Sequence, residues 1–151
     1  MREYKPLIDG LKPLSDSQDR ELLNEWVPRG TTSDCTVTVC ACGKTHIVEN
    51  YIILNVKTKE LAIVGSTCIQ RFEGDNFKVA YDIGRFVRGK LTNIPQSILD
   101  RAHTTWHILN VKEYKFMSNL RSKTRLTYKQ QLWKNSISTK LKNHIVKLGF
   151  K

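Results

Sequence analysis

The sequence predicts an α+β protein, in which a small cysteine-bearing module of hairpin and short helix precedes a basic α-helical region. Three observations carry this prediction. Cys40, Cys42 and Cys68 bracket a run rich in β-branched residues; from Pro95 onward apolar residues recur at helical spacing; and basic residues crowd the second half of the chain. At 151 residues the chain is long enough to bury a core of its own, which sets it apart from an isolated metal-stapled finger.

Residues 1–34 read as an arm and a short helix. Pro6 to Pro13 predicts an irregular or extended segment, and Ser15-Asp16-Ser17-Gln18 resembles a capping box opening a helix that reaches about Trp26. Pro28-Arg29-Gly30 then ends it.

Residues 35–73 form the second segment. Cys40 and Cys42 are two apart, so in extended backbone their side chains share a face, and Gly43 permits the sharp turn that gathers both thiolates, a knuckle. Ile47 to Asn55 predicts a strand, Lys57-Thr58-Lys59 a turn, and Leu61 to Val64 the returning strand of a hairpin. Gly65-Ser66-Thr67-Cys68 places Cys68 in the first turn of a short helix capped by Ser66. Thiolates and imidazoles presented from two places in a chain can close a tetrahedron around Zn²⁺, and the predicted ligands are Cys40, Cys42, His46 and Cys68. Cys35 is the alternative fourth ligand; in a regular strand it falls on the Val37 and Val39 face, opposite Cys40 and Cys42, as a core thiol. Knuckle, hairpin and a helix supplying a ligand follow the order of a treble-clef-like zinc module, although that class takes two ligands from its helix and here Cys68 stands alone. With four ligands the shell is closed, so the zinc is structural.

The remainder, 74–151, reads as a basic helical region packed on the module. Asn76 to Val87 favours a helix. Pro95 sits near the start of the next, with Ile98, Ala102, Trp106 and Leu109 on one face; the apolar run continues through Val111 to Leu120, as one helix or as two meeting near Asn110. Thr127-Tyr128-Lys129-Gln130 fits a capping box for a last helix, whose stripe of Trp133, Ile137, Leu141, Ile145 and Leu148 should pack on the preceding helix until Gly149 ends it.

The pattern Cys40-x-Cys42-Gly43, His46-Ile47, Tyr51-Ile52-Ile53-x-Asn55, Ile63-Val64-Gly65-Ser66-Thr67-Cys68-Ile69 and Arg71-Phe72 resembles a zinc-binding module of uncharacterised proteins from large DNA viruses and bacteriophages. The resemblance covers about residues 35 to 73. It implies a metal site and a viral source, and it brings no catalytic residues with it.

Net charge is +11, but residues 1–84 carry 10 basic and 12 acidic side chains, whereas residues 85–151 carry 15 basic ones against Asp100 and Glu113 alone. A basic half of this density attracts polyanions, since neutralised phosphates release condensed counterions. The expected nucleic-acid contacts are the loop residues Arg121, Lys123 and Arg125, together with Lys129, Lys140 and Lys147, which fall within about 20° of one another on a helix turning about 100° per residue. Contact is expected mainly at phosphates of DNA or RNA. Tyr114, Phe116, Tyr128 and Trp133 could stack bases if exposed, with Trp133 expected in the core. The second functional class is an adaptor binding an acidic patch of a host or viral protein.

An enzyme reading finds little support. His103 and His107 are four apart, as two metal ligands on a helix would be, but Thr104 stands where a metalloprotease helix carries glutamate. A phosphate loop, a nucleophile elbow and a deaminase signature are all missing, so no catalytic residue is assigned and a metal-dependent hydrolase is the third reading. No run approaches about 18 consecutive apolar residues, and the polar start from Met1 to Pro6 lacks a signal-peptide core. The expectation is a soluble intracellular protein of the host cytoplasm, nucleus or virion, without a membrane partner.

Overall fold

The computed structural model describes residues 4–32, 39–89, 91, 93–121, 123 and 125–150. Its elements are helix α1 (Lys5–Leu11), strands β1 (Trp26–Thr32), β2 (Asn50–Asn55) and β3 (Leu61–Val64), then helices α2 (Ser66–Ile69), α3 (Asp75–Val87), α4 (Gln96–Thr104), α5 (Val111–Leu120) and α6 (Tyr128–Lys147). The fold is α+β, with one antiparallel sheet in the order β1-β2-β3. Among the described residues no helix is long and apolar enough to cross a membrane. The chain divides into two compact units, Met1–Gly84 with Gly149–Lys151, and Arg85–Leu148; the division falls inside α3.

The first unit departs from expectation before the hairpin. Pro6 lies in the first turn of α1, where a missing N–H costs nothing, so the expected arm is a helix with Leu7 and Leu11 fully buried. Gly10 lies where α1 closes on the backbone of the knuckle: a Cβ there would stand 1.7 Å from the Ala41 carbonyl oxygen. The short helix expected before Trp26 is a 3₁₀ helix, Arg20–Glu25, capped by the Asp19 side chain. Chain direction then changes differently from the expected break at Pro28-Arg29-Gly30, because these residues belong to β1. Pro28 is tolerated there since β1 is an edge strand whose register shifts between Pro28 and Gly30. Gly30 is held close to the end of the chain, where Thr31 N–H donates to the Gly149 carbonyl at 3.2 Å.

The hairpin is as the β-branched run predicts. Tyr51, Ile53 and Asn55 alternate into the core, and Tyr51 pairs with Val64 across β2 and β3. Asn55, fully buried, fastens the turn: its Oδ1 accepts from the N–H groups of Lys57 and Thr58 at 2.9 and 3.0 Å, and its Nδ2 donates to Glu25 at 3.0 Å. The Glu25 carboxylate also accepts from the backbone of Asp16 and Ser17 at 2.8 and 2.7 Å. Burial alone would raise its pKa, but the Asn55 amide and these two N–H groups outweigh it and hold the carboxyl below its usual range.

In the second unit, α4 and α5 are separate helices. Thr104 is the last residue of α4, His107 takes a left-handed φ of 54°, and Asn110 opens α5 with a capping box to Glu113. The box predicted at Thr127 and Gln130 is present at the start of α6. Ile137, Leu141 and Ile145 are buried along α6, as its stripe predicts. The ends of the stripe are not: Trp133 is 40% exposed and Leu148, just past the helix, 41%.

Candidate metal centre and basic surface

The knuckle is a hydrogen-bonded turn. Gly43 N–H donates to the Cys40 carbonyl at 2.8 Å, Cys40 N–H to the Lys44 carbonyl at 2.9 Å, and Gly43 adopts a φ of 94° that favours glycine. Ala41 N–H donates to the Ile63 carbonyl at 2.8 Å, which docks the knuckle on β3, the strand leading directly to Cys68. Gly65 and not Ser66 is the residue preceding α2, and no side chain caps that helix. The Gly65 N–H donates instead to Cys40 Sγ at 3.3 Å.

Sulfurs of Cys40, Cys42 and Cys68 thereby lie within 4.8 Å of one another. Three sulfurs around one Zn²⁺ at about 2.3 Å would sit about 3.8 Å apart in a tetrahedron, so this donor set fits a thiophilic ion with little rearrangement. Cys40 and Cys68 are buried and Cys42 is half-buried. A hydrogen bond from Cys68, set against the cost of burial and joined by backbone N–H groups near Cys42 and Gly65, lowers the Cys40 thiol to about 5. The same contact raises Cys68, which holds the shared proton. A thiophilic cation bound here would displace thiol protons. Arg71 adds positive charge, its Nη1 lying 3.6 Å from Cys68 Sγ while its guanidinium lies over the Tyr4 ring at 5.7 Å.

Among the described residues these three sulfurs are the one group of three or more such donors gathered closely enough for a metal. His46 is not in the group; it is exposed, in a left-handed turn with φ 57°. Cys35 lies outside the described residues. His103 and His107 do not share a helical face, since α4 ends between them; the His103 ring stacks on Tyr114 at 4.8 Å and its Nδ1 lies 3.0 Å from the Leu109 carbonyl oxygen. Gly65 and Arg71, the outer partners of the sulfurs, carry no ligand chemistry in the sequence, and only the fold reveals them.

The unit Arg85–Leu148 contains 14 basic residues and two acidic ones. Both acids are engaged locally. Asp100 accepts from the Tyr114 hydroxyl at 2.6 Å, a bond that raises the Tyr114 pKa, and from Gln96 at 2.9 Å. Glu113 caps α5 and accepts from Lys140 Nζ at 3.1 Å. Of the predicted contact residues, Arg121, Lys123, Arg125, Lys129, Lys140 and Lys147 are all exposed. Arg121 donates to Gln96 Oε1 at 3.3 Å and Lys140 pairs with Glu113, whereas Lys129 and Lys147 have no carboxylate partner among the described residues. Lys140 and Lys147 border an open groove of about 470 Å³, whose wall also includes Ser136, Thr139 and Asn143. These three residues escaped the sequence reading; the four- and three-residue spacing of Ser136 and Asn143 from Lys140 could have found those two, whereas Thr139, adjacent to Lys140, is not on that spacing. No protein-family model, curated protein or solved structure was found to match this chain.

Proposed function

We propose that this chain is a non-catalytic viral accessory protein that binds nucleic acid through phosphate contacts of its basic helical region, with a structural zinc in a treble-clef-like module. One observation carries the nucleic-acid reading: the change from a near-neutral to a basic sequence coincides with the division between compact units, so one unit concentrates a net charge of +12. With Asp100 and Glu113 as its two acids against 14 basic residues, that unit offers little opposition to an approaching polyanion. The zinc reading rests on the three gathered sulfurs, with His46 or Cys35 left to complete the shell; the metal would supply rigidity and no reaction. A viral source rests on the resemblance of the Cys40 to Phe72 pattern alone.

The test is a salt series of equilibrium binding to random-sequence DNA and RNA. The proposal expects log affinity to fall linearly with log salt, by about 0.7 to 0.9 per phosphate contacted, and replacing Lys129 and Lys147 by glutamine to flatten that slope by about 1.5. Absence of binding at low salt contradicts it and favours an adaptor for an acidic protein surface.

A further inference from the structure

Trp133 was expected in the core, and its position in the structure gives it another use. It remains 40% exposed while its ring stacks on Phe116 of α5 at 4.0 Å and 25°, so an aromatic pair is presented at the surface of the basic unit. On a helix turning about 100° per residue, Trp133 lies about 40° from Lys129, and Ser136, Lys140, Asn143 and Lys147 fall within about 40° of the same line. These six residues make one face of α6, aromatic toward one end and carrying hydroxyl, amide and ammonium groups along the groove, whose wall also includes Ile108 and His144. The interval from Trp133 to Lys147 spans about 21 Å at 1.5 Å per residue.

We infer that this face of α6 is a track for single-stranded nucleic acid, with a base stacked on Trp133 and the adjoining phosphates seated in the groove between Ser136 and Lys147. The inference rests on the nucleic-acid reading above and narrows it to unpaired strands. A base can lay its face on an aromatic ring only when it is free of its own duplex stack, and every base has such a face, so the contact selects single strands without selecting sequence. Ser136, Thr139 and Asn143 can donate to phosphate oxygens, Lys147 supplies charge, and Lys140 shares its ammonium with Glu113. Glu113, the carboxylate at Lys140, is already neutralised by it at 3.1 Å. A solvated lysine face alone would explain the charge, but it would not explain a tryptophan left open on the same line.

The experiment is fluorescence anisotropy with the full chain and two labelled probes, an oligothymidylate and a hairpin duplex of equal charge. Oligothymidylate should bind more tightly than the duplex. Trp133→Ala should weaken oligothymidylate on the order of tenfold, within the about 1–3 kcal/mol that one stacked base contributes, and leave duplex binding unchanged; Lys147→Gln should weaken both. If Trp133→Ala loses helical circular dichroism, Trp133→Leu keeps apolar volume on Phe116 while removing the aromatic face, and the same loss is expected. Unchanged oligothymidylate affinity in the folded variant, or equal losses on both probes, overturns the track while leaving salt-dependent binding, and so the proposed function, intact. Binding of neither probe at low salt overturns both. A change confined to self-association would assign the face to a second copy of the chain instead.

Discussion

The unit built around the sheet and the unit Arg85–Leu148 reach a folded state by different means. In the first, a sheet of three short strands is reinforced by specific polar devices: the buried Glu25–Asn55 network, the knuckle docked on β3, and three sulfurs brought together from two places in the chain. Charge there is nearly balanced. The second unit has no cysteine and relies on helix caps and the buried row Ile137, Leu141 and Ile145, while its surface accumulates positive charge that lowers rather than raises its own stability. Metal affinity and polyanion affinity should accordingly respond to different substitutions.

The largest expected effect is on the first unit. At the proposed zinc site Cys68→Ser removes one of the three gathered sulfurs, and it should take bound zinc from one per chain to near zero by elemental analysis. The helical content of the basic region should survive, read by circular dichroism. Loss of all helix on metal removal would show that the two units do not fold independently of the metal. In the other unit, Leu141→Ala should cost about 2–5 kcal/mol in thermal or denaturant unfolding, since Leu141 is fully buried, and should leave metal content unchanged.

Smaller effects sharpen the first unit further. Gly10→Ala places a methyl group 1.7 Å from the Ala41 oxygen, an atom of the knuckle backbone that must move; about 1–3 kcal/mol of stability should be lost, together with zinc affinity measured against a competing chelator. Glu25 contributes to the pH response. Its folded pKa is lowered, so its contribution is present above the usual carboxylate range and is lost as pH falls through the depressed folded value. Glu25→Gln should reduce stability at neutral pH and flatten the acid limb of a stability–pH curve.

Where local signals agreed, the sequence was readable. The hairpin followed from a β-branched run ending in a turn, and α6 from a capping box with apolar residues every three or four positions. Two elements were hidden by prolines. Pro6 and Pro28 both suggest breaks, yet one sits in the first turn of α1 and the other on an edge strand beside a register shift, where their missing N–H groups do no harm. Gly30 meets Gly149, a contact between sequence-distant residues that no local window contains. At the site, the three sulfurs were legible because cysteine chemistry is specific, whereas the left-handed turn that leaves His46 exposed is set by backbone geometry. Trp133 was misplaced because periodicity identifies the face of a helix but not how completely its partner covers it: Phe116 of α5 stacks on the ring and still leaves the residue 40% exposed.

If metal and polyanion are held by separate units, hydrogen–deuterium exchange with and without a single-stranded oligonucleotide should show it. Protection on binding is expected in peptides covering Val111–Lys147, with residues 39–69 unchanged. Protection centred on the cysteine module, with α6 unaffected, would place polyanion binding in the first unit instead.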